Sequence, residues 1–177
     1  MARSRILTAA LVVMALAVPA AADASERSSD LAPRATVTRA KAPAPLTVTA
    51  SVARRYWGAA ACGGRVKVLA QRSVAAGLEP DSDAWVTFDS SLGRNNLAAP
   101  AAGYTNCVIA LARWRWPTTS SMIEDWDILC ATMVHETGHL LGRVHESTTG
   151  SVMVPVFNDY SSVPAACRSA RPARSGR

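Results

Sequence analysis

The chain has 177 residues, a formal charge of +6, and 49% hydrophobic against 18% charged residues. That length holds one domain of ordinary size and the apolar share supplies a core, which excludes a multidomain or compositionally disordered protein. Nor is the charge a nucleic-acid signature. Arg3 and Arg5 precede an apolar run, Arg168, Arg171, Arg174 and Arg177 form a tail, and these six account for the whole excess, so no nucleic-acid partner is expected.

Residues 6–18 are apolar behind the two arginines, and Pro19-Ala20-Ala21-Ala22-Asp23-Ala24 closes them with small residues, the pattern of a secretory signal peptide over 1–22. The run is shorter than the roughly 20 apolar residues that span a bilayer, so the expectation is a secreted, extracellular monomer without stable membrane insertion. Residues 23–43 are rich in Ala, Ser, Thr and Pro without an apolar period and read as a linker or short pro-segment. The folded domain is then 44–167, and 168–177 is a basic flexible tail.

Within 44–167, Val48, Val52, Tyr56 and Trp57 share one helical face, predicting a short opening helix stopped by Gly63-Gly64. Alternation over 66–70, the run Trp85-Val86-Thr87-Phe88, and 107–111 predict three strands. Gly93, Asn95, Asn96, Pro100 and Gly103 mark 90–106 as a long loop. Trp114 and Trp116 alternate with Arg113 and Arg115, and half-buried cross-strand packing is expected of them. Residues 124–141 carry acidic groups in the first turn, apolar residues at Ile128, Leu129, Met133, Val134, Leu140 and Leu141, and Gly142 just beyond, which predicts one long helix with Trp126 in the core. The outline is α+β, a small sheet preceding a long helix.

Four cysteines in an exported chain, none in a C-x-x-C pair, favour two disulfides. Three pairings are open. Cys62 with Cys107 and Cys130 with Cys167 is preferred, because the second bridge clamps the end of the chain to the long helix.

That helix ends in His135-Glu136-Thr137-Gly138-His139-Leu140-Leu141-Gly142-Arg143-Val144-His145, which satisfies H-E-x-x-H-x-x-G-x-x-H. His135 and His139, four apart, lie on one helical face and can share a metal. Gly142 takes a left-handed conformation without a Cβ clash and turns the chain back, so that His145 arrives as third ligand. Glu136 stands beside the pair, where a carboxylate can hold a water. Three neutral nitrogens with one open position are the donor set of a catalytic zinc, and the chain's only three histidines are these. Asp81, Asp83 and Asp89 are the weaker hint of a calcium ion; no D-x-[DN]-x-[DN]-G loop contains them, and solvated turn residues explain them better.

The extended motif followed by Ser151-Val152-Met153-Val154-Pro155 resembles the metzincin clan of zinc endopeptidases, in which a Met-turn follows the third histidine. Met153-Val154-Pro155, eight residues beyond His145, is similar to the matrixin branch, and the chain resembles a small secreted member of bacterial type. Glu146 directly after His145 is more like the astacin branch, but Pro155 stands where that branch has a tyrosine, so no tyrosine ligand is implied. The matrixin cysteine switch is absent. The resemblance implies a small twisted mixed sheet with an antiparallel edge strand, packed on an N-terminal helix and a long active-site helix. It further implies Met153 as packing beneath the histidines, 107–112 as the edge strand that pairs with substrate through Val108, Ile109, Ala110 and Leu111, and Pro155, Val156 and Phe157 as lining for the residue after the scissile bond. The expected activity is peptide-bond hydrolysis by a zinc-activated water with Glu136 as general base, acting on a protein or peptide. The alternatives are a zinc amidase acting on cell-wall peptides and a metal-stabilised secreted binding protein.

Overall fold

The computed structural model describes residues 44–71, 73, 78, 81–157 and 160–172. The signal peptide expected over 1–22, the linker over 23–43 and the last five residues of the tail lie outside the described residues.

Helix α1 (Pro45–Trp57) begins with proline at its first position, where a missing N–H costs nothing, and ends on Gly58 in the left-handed conformation at φ 62°. Gly58, six residues after Val52, is the stop, not Gly63-Gly64. The latter pair, with Cys62, forms a short left-handed turn that delivers Cys62 to its disulfide partner. The buried face of α1 is Thr49, Val52 and Ala53; Tyr56 is exposed, while the Trp57 indole Nε1–H donates to the Val134 carbonyl at 2.8 Å.

Strands β1 (Lys67–Gln71), β2 (Ala84–Asp89) and β3 (Thr105–Ala112) form a mixed sheet in the order β1-β3-β2. β1 runs parallel to β3 and β2 antiparallel to it, with a bulge between Thr87 and Asp89. β3 is therefore central. Its two faces are both apolar: Cys107, Ile109 and Leu111 join the main core, and Ala110 and Ala112 pack with Trp85 on the other side.

The expected long helix is two. Helix α2 (Thr119–Glu124) starts on a capping box in which the Thr118 hydroxyl accepts the Ser121 N–H and the Ser121 hydroxyl accepts the Thr118 N–H. Asp125 breaks the run, its Oδ2 accepting from Arg115 Nε and Trp116 Nε1, both at 3.0 Å. Helix α3 (Trp126–Leu140) then crosses the core buried nearly all round. Helix α4 (Ala165–Ser169) folds back onto its first turns.

The disulfides are Cys62–Cys107 and Cys130–Cys167, the preferred pairing, closing loops of 45 and 37 residues. Loops of that length each remove about 4 kcal/mol of unfolded-state entropy in the chain-entropy account. The second bridge is reinforced by the Trp126 indole, which donates to the Cys167 carbonyl at 2.8 Å. The ordered chain also runs past Cys167. Arg168 donates to the Val163 carbonyl, and Arg171 pairs with Asp127 and reaches the Glu124 carbonyl, so this part of the expected tail is tied to the domain. Trp116 is buried at 1% exposure and Trp114 is 52% exposed; neither lies in a strand, which replaces the cross-strand packing expected of both.

Candidate metal centre

The site is built at the C-terminal end of α3. Gly142 at φ +81° lets the Arg143 N–H reach back to the Gly138 carbonyl and its own N–H to His139, a paired closure that ends the helix and reverses the chain. A side chain at 142 would be strained by that φ and would press on the Ala101 methyl at 3.2 Å. The reversal carries His145 to the two helical histidines. Nε2 of His135 lies 3.0 Å from Nε2 of His139, and Nε2 of His145 lies 3.2 Å from each.

The Nε2 atoms of His135 and His139 do not hydrogen-bond each other. His135 Nδ1 is 2.8 Å from the Val152 carbonyl, and His139 Nδ1 is 2.8 Å from the Arg143 carbonyl. A carbonyl only accepts, so each Nδ1 carries the ring proton and each Nε2 is a bare lone pair. Lone pairs at 3.0 Å repel unless a cation stands between them. Burial, ahead of the neighbouring imidazoles, pushes His135 down to about 4 and lowers His139 also, which keeps both rings neutral and available as ligands. The group His135, His139 and His145 can hold a metal ion. Tetrahedral bonds of about 2.0–2.1 Å place neighbouring ligands about 3.3 Å apart, close to the triangle observed. His135 is buried and His145 exposed, so the centre opens toward solvent on the His145 side.

Glu136 is next to His135 but 6% exposed, and burial alone pushes its carboxyl up to about 8. Met153 is 1% exposed. It packs on Gly138: a β-carbon there would sit 2.5 Å from the Met153 sulfur and 2.8 Å from Trp57 Cζ2. The Val152 carbonyl that orients His135 therefore comes from the same turn whose next side chain packs against the helix. In the sequence, the signal for this contact is a glycine in a helix interior, which marks a close approach.

The structure places 107–112 differently from the expectation. As the central strand, β3 has neighbours on both sides, so the backbone of Val108, Ile109, Ala110 and Leu111 cannot pair with an extended substrate. The antiparallel edge is β2. The Ala112 N–H bonds to the Asp83 carbonyl, which fixes the alternation so that Ala84 and Val86 turn their backbone groups away from β3. At Phe88 the outward groups are occupied: Asn95 Oδ1 accepts its N–H at 2.8 Å and the Asn95 N–H donates to its carbonyl at 2.9 Å. Of the other expected lining residues, the Phe157 ring lies edge-on 5.8 Å from His135, and Pro155 and Val156 are exposed. A cavity of about 280 Å³ involves Met133 and Thr137 with Ala50, Arg54, Val68 and Ile109. None of the histidines lines it, so it is no part of the metal centre.

Set against known protein families, curated proteins and solved structures, the chain has no match. Among the described residues no helix is long and apolar enough to cross a membrane.

Proposed function

We propose that the protein is a secreted zinc-dependent endopeptidase, related to the metzincin clan. The observation that carries this reading is the convergence of three imidazole nitrogens at a centre with an open side toward solvent, with the buried Glu136 next in sequence to the first of them. Zinc suits three neutral nitrogens, and when bound with an open position it supplies Lewis acidity and lowers the pKa of a water toward about 7. Val152 and Arg143 hold the His135 and His139 tautomers that ligation needs. With its carboxyl pushed up to about 8, Glu136 in its ionised form is a strong base that would take the proton of the attacking water and return it to the leaving amine, the general acid and base role. Its low exposure keeps competing bulk water from that carboxylate. β2 provides two outward-facing backbone positions, Ala84 and Val86, for an extended peptide, and the Phe157 ring lies edge-on to His135. The two disulfides accord with an oxidising compartment.

The test is to incubate the purified chain with casein, a peptide library and peptidoglycan fragments, each with and without a chelator. Cleavage of peptides that chelation abolishes and zinc restores is the expected result. Hydrolysis confined to peptidoglycan fragments makes the protein an amidase. Metal binding without any hydrolysis makes it a metal-stabilised binding protein.

A further inference from the structure

The three imidazoles are not held alike. His135 and His139 each donate Nδ1–H to a backbone carbonyl, whereas Nδ1 of His145 meets no acceptor among the described residues. Metal-ligating histidines ordinarily use the second ring nitrogen in this way, and loss of such a partner costs about 10- to 100-fold in affinity. His145 is also the most exposed of the three and lies on irregular chain, not on α3. Its orientation must come from its backbone.

The next residue supplies it. The Glu146 N–H donates to the Met153 carbonyl at 2.9 Å, the Ser151 hydroxyl donates to Glu146 Oε2 at 2.7 Å, and the same Ser151 oxygen accepts the Met153 N–H at 3.1 Å. A hydroxyl has one proton; by taking it, the carboxylate leaves the Ser151 lone pairs for the Met153 amide. These bonds close a ring between the residue that follows the third ligand and Met153, which is buried and packed on Gly138. Gly150 at φ +82° and the Ser151 N–H to the Thr148 carbonyl make the turn that brings Ser151 back to Glu146.

We propose that Glu146 is a positioning residue: through Ser151 it couples His145 to the Met153 turn and does for the third ligand what two carbonyls do for the others. This inference rests on the triad binding metal. The test measures zinc affinity of the full chain by competition with a chromophoric chelator, for the parent and for E146A, E146Q, S151A, H145A and the E146A/H145A double variant. E146A and S151A should each weaken binding by about 10- to 100-fold. E146Q, whose amide oxygen still accepts from Ser151, should stay close to the parent. In the H145A background, E146A should add nothing, because no third imidazole remains to be placed. Parental affinity in E146A overturns the proposal, and so does an equal loss with and without His145, the mark of a general loosening of the loop. Parental affinity in H145A overturns the three-histidine reading itself, and the positioning role with it. Circular dichroism checks folding; should E146A not fold, S151A carries the same comparison.

Discussion

The sulfur of Met153 stands 2.5 Å from the point that a β-carbon on residue 138 would occupy, so Gly138 is the reason this methionine can lie against α3 between two of the histidines. Gly138→Ala should therefore lower stability, although alanine is the better helix former by up to about 1 kcal/mol. Overpacking of a tight core costs about 1–3 kcal/mol, and Trp57 on the other flank leaves Met153 little room to retreat. A second change, Met153→Ala, should recover part of the loss. Denaturant titrations of the two single variants and the double measure this, and additive losses would refute direct contact as the cause.

Glu136→Gln separates chemistry from binding. The amide keeps the shape of the carboxylate but cannot accept a proton, so zinc content and folding should stay near the parent while peptide hydrolysis falls about 100- to 10,000-fold, roughly 3 to 5.5 kcal/mol of barrier. Zinc analysis alongside single-turnover kinetics checks both halves. Activity within a few-fold of the parent would remove Glu136 from the mechanism.

Metal removal should cost stability as well as activity. The converging lone pairs favour a cation in the native state that the unfolded chain cannot hold in the same way, so free zinc at 100 times its dissociation constant should add about 2.7 kcal/mol. Melting temperatures measured across a series of buffered zinc concentrations give the dependence. A midpoint indifferent to zinc would mean that the triad does not load in the folded protein.

Asp83 offers a pH test away from the metal. Burial, only partly opposed by the nearby Arg115, raises its carboxyl above the ordinary value of 3.8, and one oxygen has no hydrogen-bond partner. The native state then holds this proton more tightly than the unfolded state, so the group's contribution to stability is greatest below 3.8 and is lost as pH rises through the raised value. Asp83→Asn should consequently be more stable than the parent at neutral pH, with the gain shrinking as pH falls through the raised value toward 3.8. Thermal unfolding at pH 7 and pH 3 measures the difference; a gain that persists unchanged at pH 3 would show that charge is not its source.

How much could be read in advance follows from how local each signal is. The ligand spacing of His135, His139 and His145, and the reversal at Gly142, lie within eleven consecutive residues, and the sequence carries them in full. The break at Asp125 is different. It depends on Arg115 and Trp116 bonding to that carboxylate, and only the Thr118-to-Ser121 capping pattern announced a new helix start. The family resemblance implies an edge position for β3, whereas pairing between distant segments puts it in the centre. Yet Ile109 and Leu111 on one face, with Ala110 and Ala112 on the other, are apolar on both sides, which is the composition of a central strand. Glu146 could be noticed but not interpreted, since its partner Ser151 is brought to it by a turn at Gly150 that has no bearing on the motif itself.

The pair of bonds between Asn95 and Phe88 has a consequence for self-association. An open sheet edge is a template on which other chains can add strands, and proteins guard against this by shortening or covering it. Asn95, held at φ 55°, offers Phe88 the donor and acceptor that a neighbouring strand would have offered. What remains of the β2 edge is Ala84 and Val86, long enough for a short peptide to lie along and too short to seed another sheet. Along β2, the sheet is in this way closed to the permanent addition of another strand.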